Sequence, residues 1–112
     1  MGITTHILDV SRGRPAVGVL VKLEREQDGA WLAVGSGQTD ADGRCRTLTA
    51  PERPLAVGTY RIEFATGDYF SASGTRAFYP TVQVQFLVSA MDEHYHVPLL
   101  LSPFGFSTYR GS

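Results

Sequence analysis

The sequence predicts an all-β protein, a two-sheet sandwich of seven or eight strands with one short helix. Three observations carry that expectation. Apolar and polar residues alternate over short segments. Gly, Pro and Asp punctuate those segments at nearly even spacing. No stretch is left over for the helical crossovers that a parallel α/β sheet would need. With 112 residues there is room for one modest core, so residues 1–112 are read as a single domain.

Taken in order, residues 3–10 form a first strand with Thr4, His6 and Leu8 on one face and Ile3, Thr5 and Ile7 on the other. A loop through Gly13 and Pro15 follows. Val19, Val21 and Leu23 alternate with Leu20, Lys22 and Glu24 in a second strand, which Asp28-Gly29 breaks. Residues 30–37 make a third strand, carrying the lone Trp31. Asp40-Ala41-Asp42-Gly43 is a tight turn, and residues 44–48 are a short strand behind it. Pro51 and Pro54 lie in the next connection. Tyr60, Ile62 and Phe64 mark a half-buried strand, with Tyr60, Phe64 and Phe86 expected in the core. Residues 68–73 form the one helical piece, capped by Asp68. Val82, Val84, Phe86 and Val88 alternate with Gln83 and Gln85, and strands over 94–101 and 106–110 close the chain.

Composition excludes several function classes. Ten basic and eleven acidic residues leave a formal charge of -1, which gives no electrostatic footprint for nucleic acid or an anionic membrane. No apolar run approaches the roughly 20 residues that span a bilayer. The start of the chain lacks the basic and apolar regions of a secretory signal, and His6 stands where a myristoylation motif needs Ser or Thr. The single cysteine, Cys45, cannot form an internal disulfide, so a reducing, cytoplasmic setting is expected.

The residues that carry chemistry are few. His94 and His96 share a face of one strand, a possible metal pair that His6, Asp92 or Glu93 would have to complete. The plainer reading is a pair of ordinary strand imidazoles, and for His94 that reading is preferred. Arg44 and Arg46 share a face two residues apart, so spacing does not choose between them. Cys45 points the other way and is expected to be packed rather than reactive. Asp9 and Asp40 read as turn or strand-end polar groups. The closing Tyr109-Arg110-Gly111-Ser112 follows an apolar, turn-rich approach, so Ser112 is expected to be docked with Tyr109 and Arg110 nearby. There is no G-x-S-x-G elbow and no phosphate loop ahead of a helix. Two imidazoles, a guanidinium and a serine hydroxyl would suit water activation and oxyanion stabilisation without a covalent intermediate.

Three stretches taken together carry a family resemblance. They are Ile3-Thr4-Thr5-His6-Ile7-Leu8-Asp9 with Gly13-Arg14-Pro15-Ala16, Thr39-Asp40-Ala41-Asp42-Gly43-Arg44, and the run from His94 through Gly105 to Ser107-Thr108-Tyr109-Arg110-Gly111-Ser112. The chain resembles the transthyretin-related 5-hydroxyisourate hydrolases over its whole length. Val10 and Phe106 depart from the family pattern, at positions not expected to touch substrate. The resemblance implies a transthyretin-like sandwich assembled as a homotetramer. It implies hydrolysis of 5-hydroxyisourate to 2-oxo-4-hydroxy-4-carboxy-5-ureidoimidazoline with no metal or organic cofactor. It also implies functional roles for His6, Arg44, His96 and Ser112, with Tyr109 lining the substrate site.

Because a flat sandwich face is a poor pocket, sites are expected where two dimers meet, with more than one subunit contributing. The rival readings are a transthyretin-like carrier of a small aromatic ligand, a metal-dependent hydrolase using His94, His96 and His6, and a plain interaction module.

Overall fold

The structure, a computed structural model, describes residues 2–50 and 53–112; of the two prolines expected in the mid-chain connection, Pro51 lies outside the described residues. Its elements are β1 (Gly2–Asp9), β2 (Arg14–Pro15), β3 (Leu20–Gln27), β4 (Ala30–Gln38), β5 (Arg44–Cys45), β6 (Gly58–Phe64), α1 (Thr66–Ala72), β7 (Val82–Val88), β8 (His94–Ser102) and β9 (Gly105–Thr108). Of the nine strands among the described residues, β2 and β5 are two-residue pieces, each paired with β1. The first sheet runs β2-β1-β8-β9 with β5 also on β1, and the second runs β4-β3-β6-β7.

Alternation decides what lies between the sheets. Ile3, Thr5 and Ile7 of β1 point inward with Val97, Leu99 and Leu101 of β8, all buried. Val21, Leu23, Tyr60, Ile62, Phe64 and Val82 meet them from the second sheet. Each fully buried aliphatic or aromatic side chain of this kind contributes about 1.5–3 kcal/mol. Phe86, expected in the core, is only half-buried and stacks on Tyr60 with ring centroids 6.0 Å apart.

The first sheet contains one parallel pair, β1 with β8, and every other strand pair is antiparallel. The whole second sheet serves as its crossover. The parallel register sets Thr4 beside His96 and His6 beside Pro98.

Three further expectations are corrected. The strand read over 44–48 ends at Cys45, because beyond it the backbone runs across β4, with Leu48 so close to Gly35 that a Cβ there would collide with the Leu48 carbonyl. Thr49 Oγ1 then takes the Ile3 N–H at 3.1 Å in place of a ladder partner. The helix begins two residues before Asp68, with Ala65 as its uncapped N-terminal residue. It is anchored instead by the Gly67 N–H on the Pro80 carbonyl, 3.0 Å, and by burial of Thr66 and Phe70. Asp68 sits in the first turn, where its charge favours the helix dipole. The last strand stops at Thr108, and the chain returns to the sheet at Gly111, whose N–H donates to the His96 carbonyl at 2.8 Å.

Asp9 ends β1 but is fully buried, and its carboxylate accepts from the Ser11 hydroxyl, the Arg12 N–H and, at 2.7 Å, the Tyr69 hydroxyl of α1. Burial alone would raise its pKa; these donors together with the Arg12 charge hold it below its ordinary value. Burial, then the hydrogen bond and charge of Asp9, push the Tyr69 phenol up to about 12.

Candidate functional site

Strand β1 is the rib of the site. Thr4 and His6 lie on its outer face, and both neighbouring strands add side chains to that face. On one side the antiparallel register sets His6 directly opposite Arg44. On the other side β8 brings His94 and His96 alongside Thr4.

Arg44 is delivered by its turn. Asp40 Oδ1 accepts the Asp42 N–H at 2.9 Å and the Arg44 N–H at 3.0 Å, and the Asp40 carbonyl accepts the Gly43 N–H at 2.9 Å. The Arg44 N–H is the main reason that the Asp40 carboxyl titrates below its usual value. Gly43 has a φ of 77°, and a Cβ on it would lie 2.6 Å from the Ile7 carbonyl oxygen, so only glycine fits here. The turn thus presses against β1 and fixes Arg44 across from His6.

The final segment closes the site. Besides the Gly111 bond to His96, Arg110 pairs with Glu93 at 3.2 Å and lies over the buried Tyr95 ring, 4.6 Å from its centroid. Tyr95 in turn accepts the Ser89 and Ala90 N–H groups at 3.1 and 3.0 Å. Gly111 lies flush on the histidine: a Cβ there would come within 2.7 Å of His96 Cδ2.

His6, Arg44, His96, Tyr109 and Ser112 all line one cavity of about 550 Å³ on the outer face of the first sheet. Thr4, Arg46, His94, Pro98 and Gly111 line it too. The geometry therefore does not separate Arg44 from Arg46, although Arg46 is drawn towards Asp40, 3.3 Å away. Cys45 is buried and points away from both. Among the described residues no three His, Cys, Asp or Glu side chains are grouped as metal ligands. His94 Nε2 and His96 Nδ1 instead both contact the Thr4 hydroxyl, at 3.0 and 2.8 Å. Thr4 was missed from the sequence: alternation puts it on the face of His6, but nothing in the sequence pairs it with residues 90 positions later.

The His96 imidazole is held below its ordinary 6.5, first by burial, then by the nearby Arg44, His6 and His94 charges. At neutral pH it is a neutral ring with a lone pair to offer. A neutral imidazole among guanidinium groups can take a proton from water while the cations stabilise a developing oxyanion.

The profile of the HIUase/Transthyretin family matches residues 3–111. The 5-hydroxyisourate hydrolase of Caulobacter vibrioides is 52% identical over a 118-residue alignment covering 99% of this chain and 98% of that one. The solved 5-hydroxyisourate hydrolase of Klebsiella pneumoniae superposes with a TM-score of 0.86 at 39% identity, covering 98% of each chain. Sea bream transthyretin, solved in complex with thyroxine, has a TM-score of 0.90 at 33% identity over 97% of this chain and 93% of its own.

Proposed function

This chain belongs to the HIUase/Transthyretin family, and we propose that it hydrolyses 5-hydroxyisourate to 2-oxo-4-hydroxy-4-carboxy-5-ureidoimidazoline. The observation that carries this reading is the lining of the cavity by His6, Arg44, His96, Tyr109 and Ser112 together. A carrier of an aromatic ligand would gain more from apolar walls, so the lining supports chemistry although the fold superposes at least as well on a transthyretin.

In this reading neutral His96 takes a proton from water, and the oxygen attacks the ring amide carbonyl. Arg44 binds the ring through its paired N–H donors and stabilises the negative oxygen as the tetrahedral centre forms. The amide C–N bond then breaks. Its nitrogen receives the proton and the carbonyl carbon becomes the product's carboxyl group, so one water is consumed and nothing is oxidised or reduced. His6 relays or orients the proton, Ser112 adds a hydrogen bond to the water, and Tyr109 lines the substrate side.

The protein acts as a homotetramer with its sites where two dimers meet. Support comes from the same sheet face: beside the cavity, half-buried Leu8 and Leu100 pair in register and Val10 is 54% exposed, an apolar strip suited to a second copy. A cytoplasmic setting suits the free, buried Cys45.

The test generates 5-hydroxyisourate with urate oxidase and follows its ultraviolet decay. Wild type should accelerate the decay. His96→Ala should cost about 100 to 10,000-fold as a lost proton-transfer group, and Arg44→Ala about 100 to 1,000-fold as a lost oxyanion donor. His6→Ala and deletion of Ser112 should also slow it, and a chelator should leave the rate unchanged. Aromatic-ligand binding with no effect on the decay would establish the carrier instead.

A further inference from the structure

We propose that Thr4 is a positioning residue: its hydroxyl accepts the Nδ1–H of His96 and donates to Nε2 of His94, fixing His96 as the tautomer whose Nε2 is bare toward the cavity. The inference rests on reading the cavity as hydrolytic, but its geometry stands on three groups alone. Thr4 Oγ1 lies 2.8 Å from His96 Nδ1 and 3.0 Å from His94 Nε2. A hydroxyl has one proton and two lone pairs, so it cannot donate to both rings. At least one imidazole must donate to it.

Two considerations choose the direction. The cavity is lined by Arg44 and Arg46, and a bare Nε2 turns the negative end of the imidazole dipole towards them. An Nε2–H would turn its positive end towards the same cations. Also, Nδ1 has the Thr4 hydroxyl oxygen at 2.8 Å, and the hydrogen bond between the ring and the Thr4 backbone raises the His96 pKa, as an acceptor facing a ring N–H does. A ring nitrogen's protonation is set by the bond its partner nitrogen makes, and Thr4 supplies that bond. When Nε2 captures a proton from water, the Nδ1–H bond to Thr4 becomes charge-assisted and strengthens. Thr4 thereby acts at the moment of catalysis through the His96 ring.

The experiment combines ring nitrogen NMR with kinetics on the full chain. In wild type with labelled histidine, at a pH above imidazole titration, His96 should show a protonated Nδ1 and a bare Nε2. Thr4→Val, which keeps the shape and removes the hydroxyl, should shift His96 towards the other tautomer. It should also lower kcat by about 10 to 100-fold, the size expected for losing a hydrogen bond to a ring that becomes charged, with KM changed less than about twofold. Thr4→Ser should restore both the tautomer and most of kcat. A protonated Nε2 in wild type, or a Thr4→Val protein with unchanged tautomer and unchanged kcat, overturns the inference. Failure of wild type to hasten 5-hydroxyisourate decay overturns the hydrolytic reading instead, while the ring spectra still decide whether Thr4 sets the tautomer.

Discussion

His96 and Asp9 show how far single residues were legible. Both sit on strands that the alternation identifies, yet what tunes them includes partners distant in sequence, Tyr69 for Asp9 and Arg44 and His6 for His96. For His96 the tuning has a kinetic consequence. A general base works deprotonated, and a pKa below 6.5 keeps it deprotonated to lower pH. The acid limb of kcat/KM is therefore expected to have its midpoint below 6.5, and Arg44→Gln, which removes a nearby positive charge, should move that midpoint up. A pH profile of both proteins checks this. Asp9 reads as a turn or strand-end polar group, and nothing in the sequence pairs it with Tyr69, 60 residues on, which donates to it. Asp9→Asn should destabilise the fold by about 1–3 kcal/mol at neutral pH, since buried donors lose a charged acceptor. Because its folded pKa is depressed, that stabilisation is complete above the unfolded value of 3.8 and fades as pH falls through the folded one. Denaturant titrations of wild type and variant should thus converge only in acid below 3.8.

At the scale of elements, period-two alternation located β1, β6, β7 and β8 to within a residue or two, because each buries one face and exposes the other. It failed where backbone packing overrides pattern: β5 is cut short by the crossing of Leu48 over Gly35, and α1 starts early because Pro80 holds Gly67. The segment after β9 belongs to neither class. Arg110 clamps it to Glu93 and Tyr95, and Gly111 lays it on the His96 ring. Gly111→Ala would place a Cβ 2.7 Å from His96 Cδ2 and 3.1 Å from Pro98 Cγ, so the segment or the ring must move. A displacement near 1 Å can cost about 100-fold in rate. The variant is expected to lose kcat on that scale with little change in melting temperature, measured by the decay assay and by calorimetry.

For the whole molecule, the two-sheet sandwich is legible in the alternation, whereas the parallel β1–β8 pair is not, since alternation assigns faces and leaves partners open. The apolar strip of Leu8 and Leu100 gives the assembly its own test. Leu100→Lys should split the proposed tetramer, seen by sedimentation, and suppress turnover while circular dichroism stays unchanged. The parallel pair also governs how the protein comes into being. Thr4 and His96 are 92 positions apart, so the earliest-made strand finds its neighbour only after nearly everything else has been synthesised. Closing so wide a loop is entropically slow. The second sheet is built from local hairpins, whereas the histidine face of the site needs β1 and β8 side by side and so cannot exist before that long-range pairing closes.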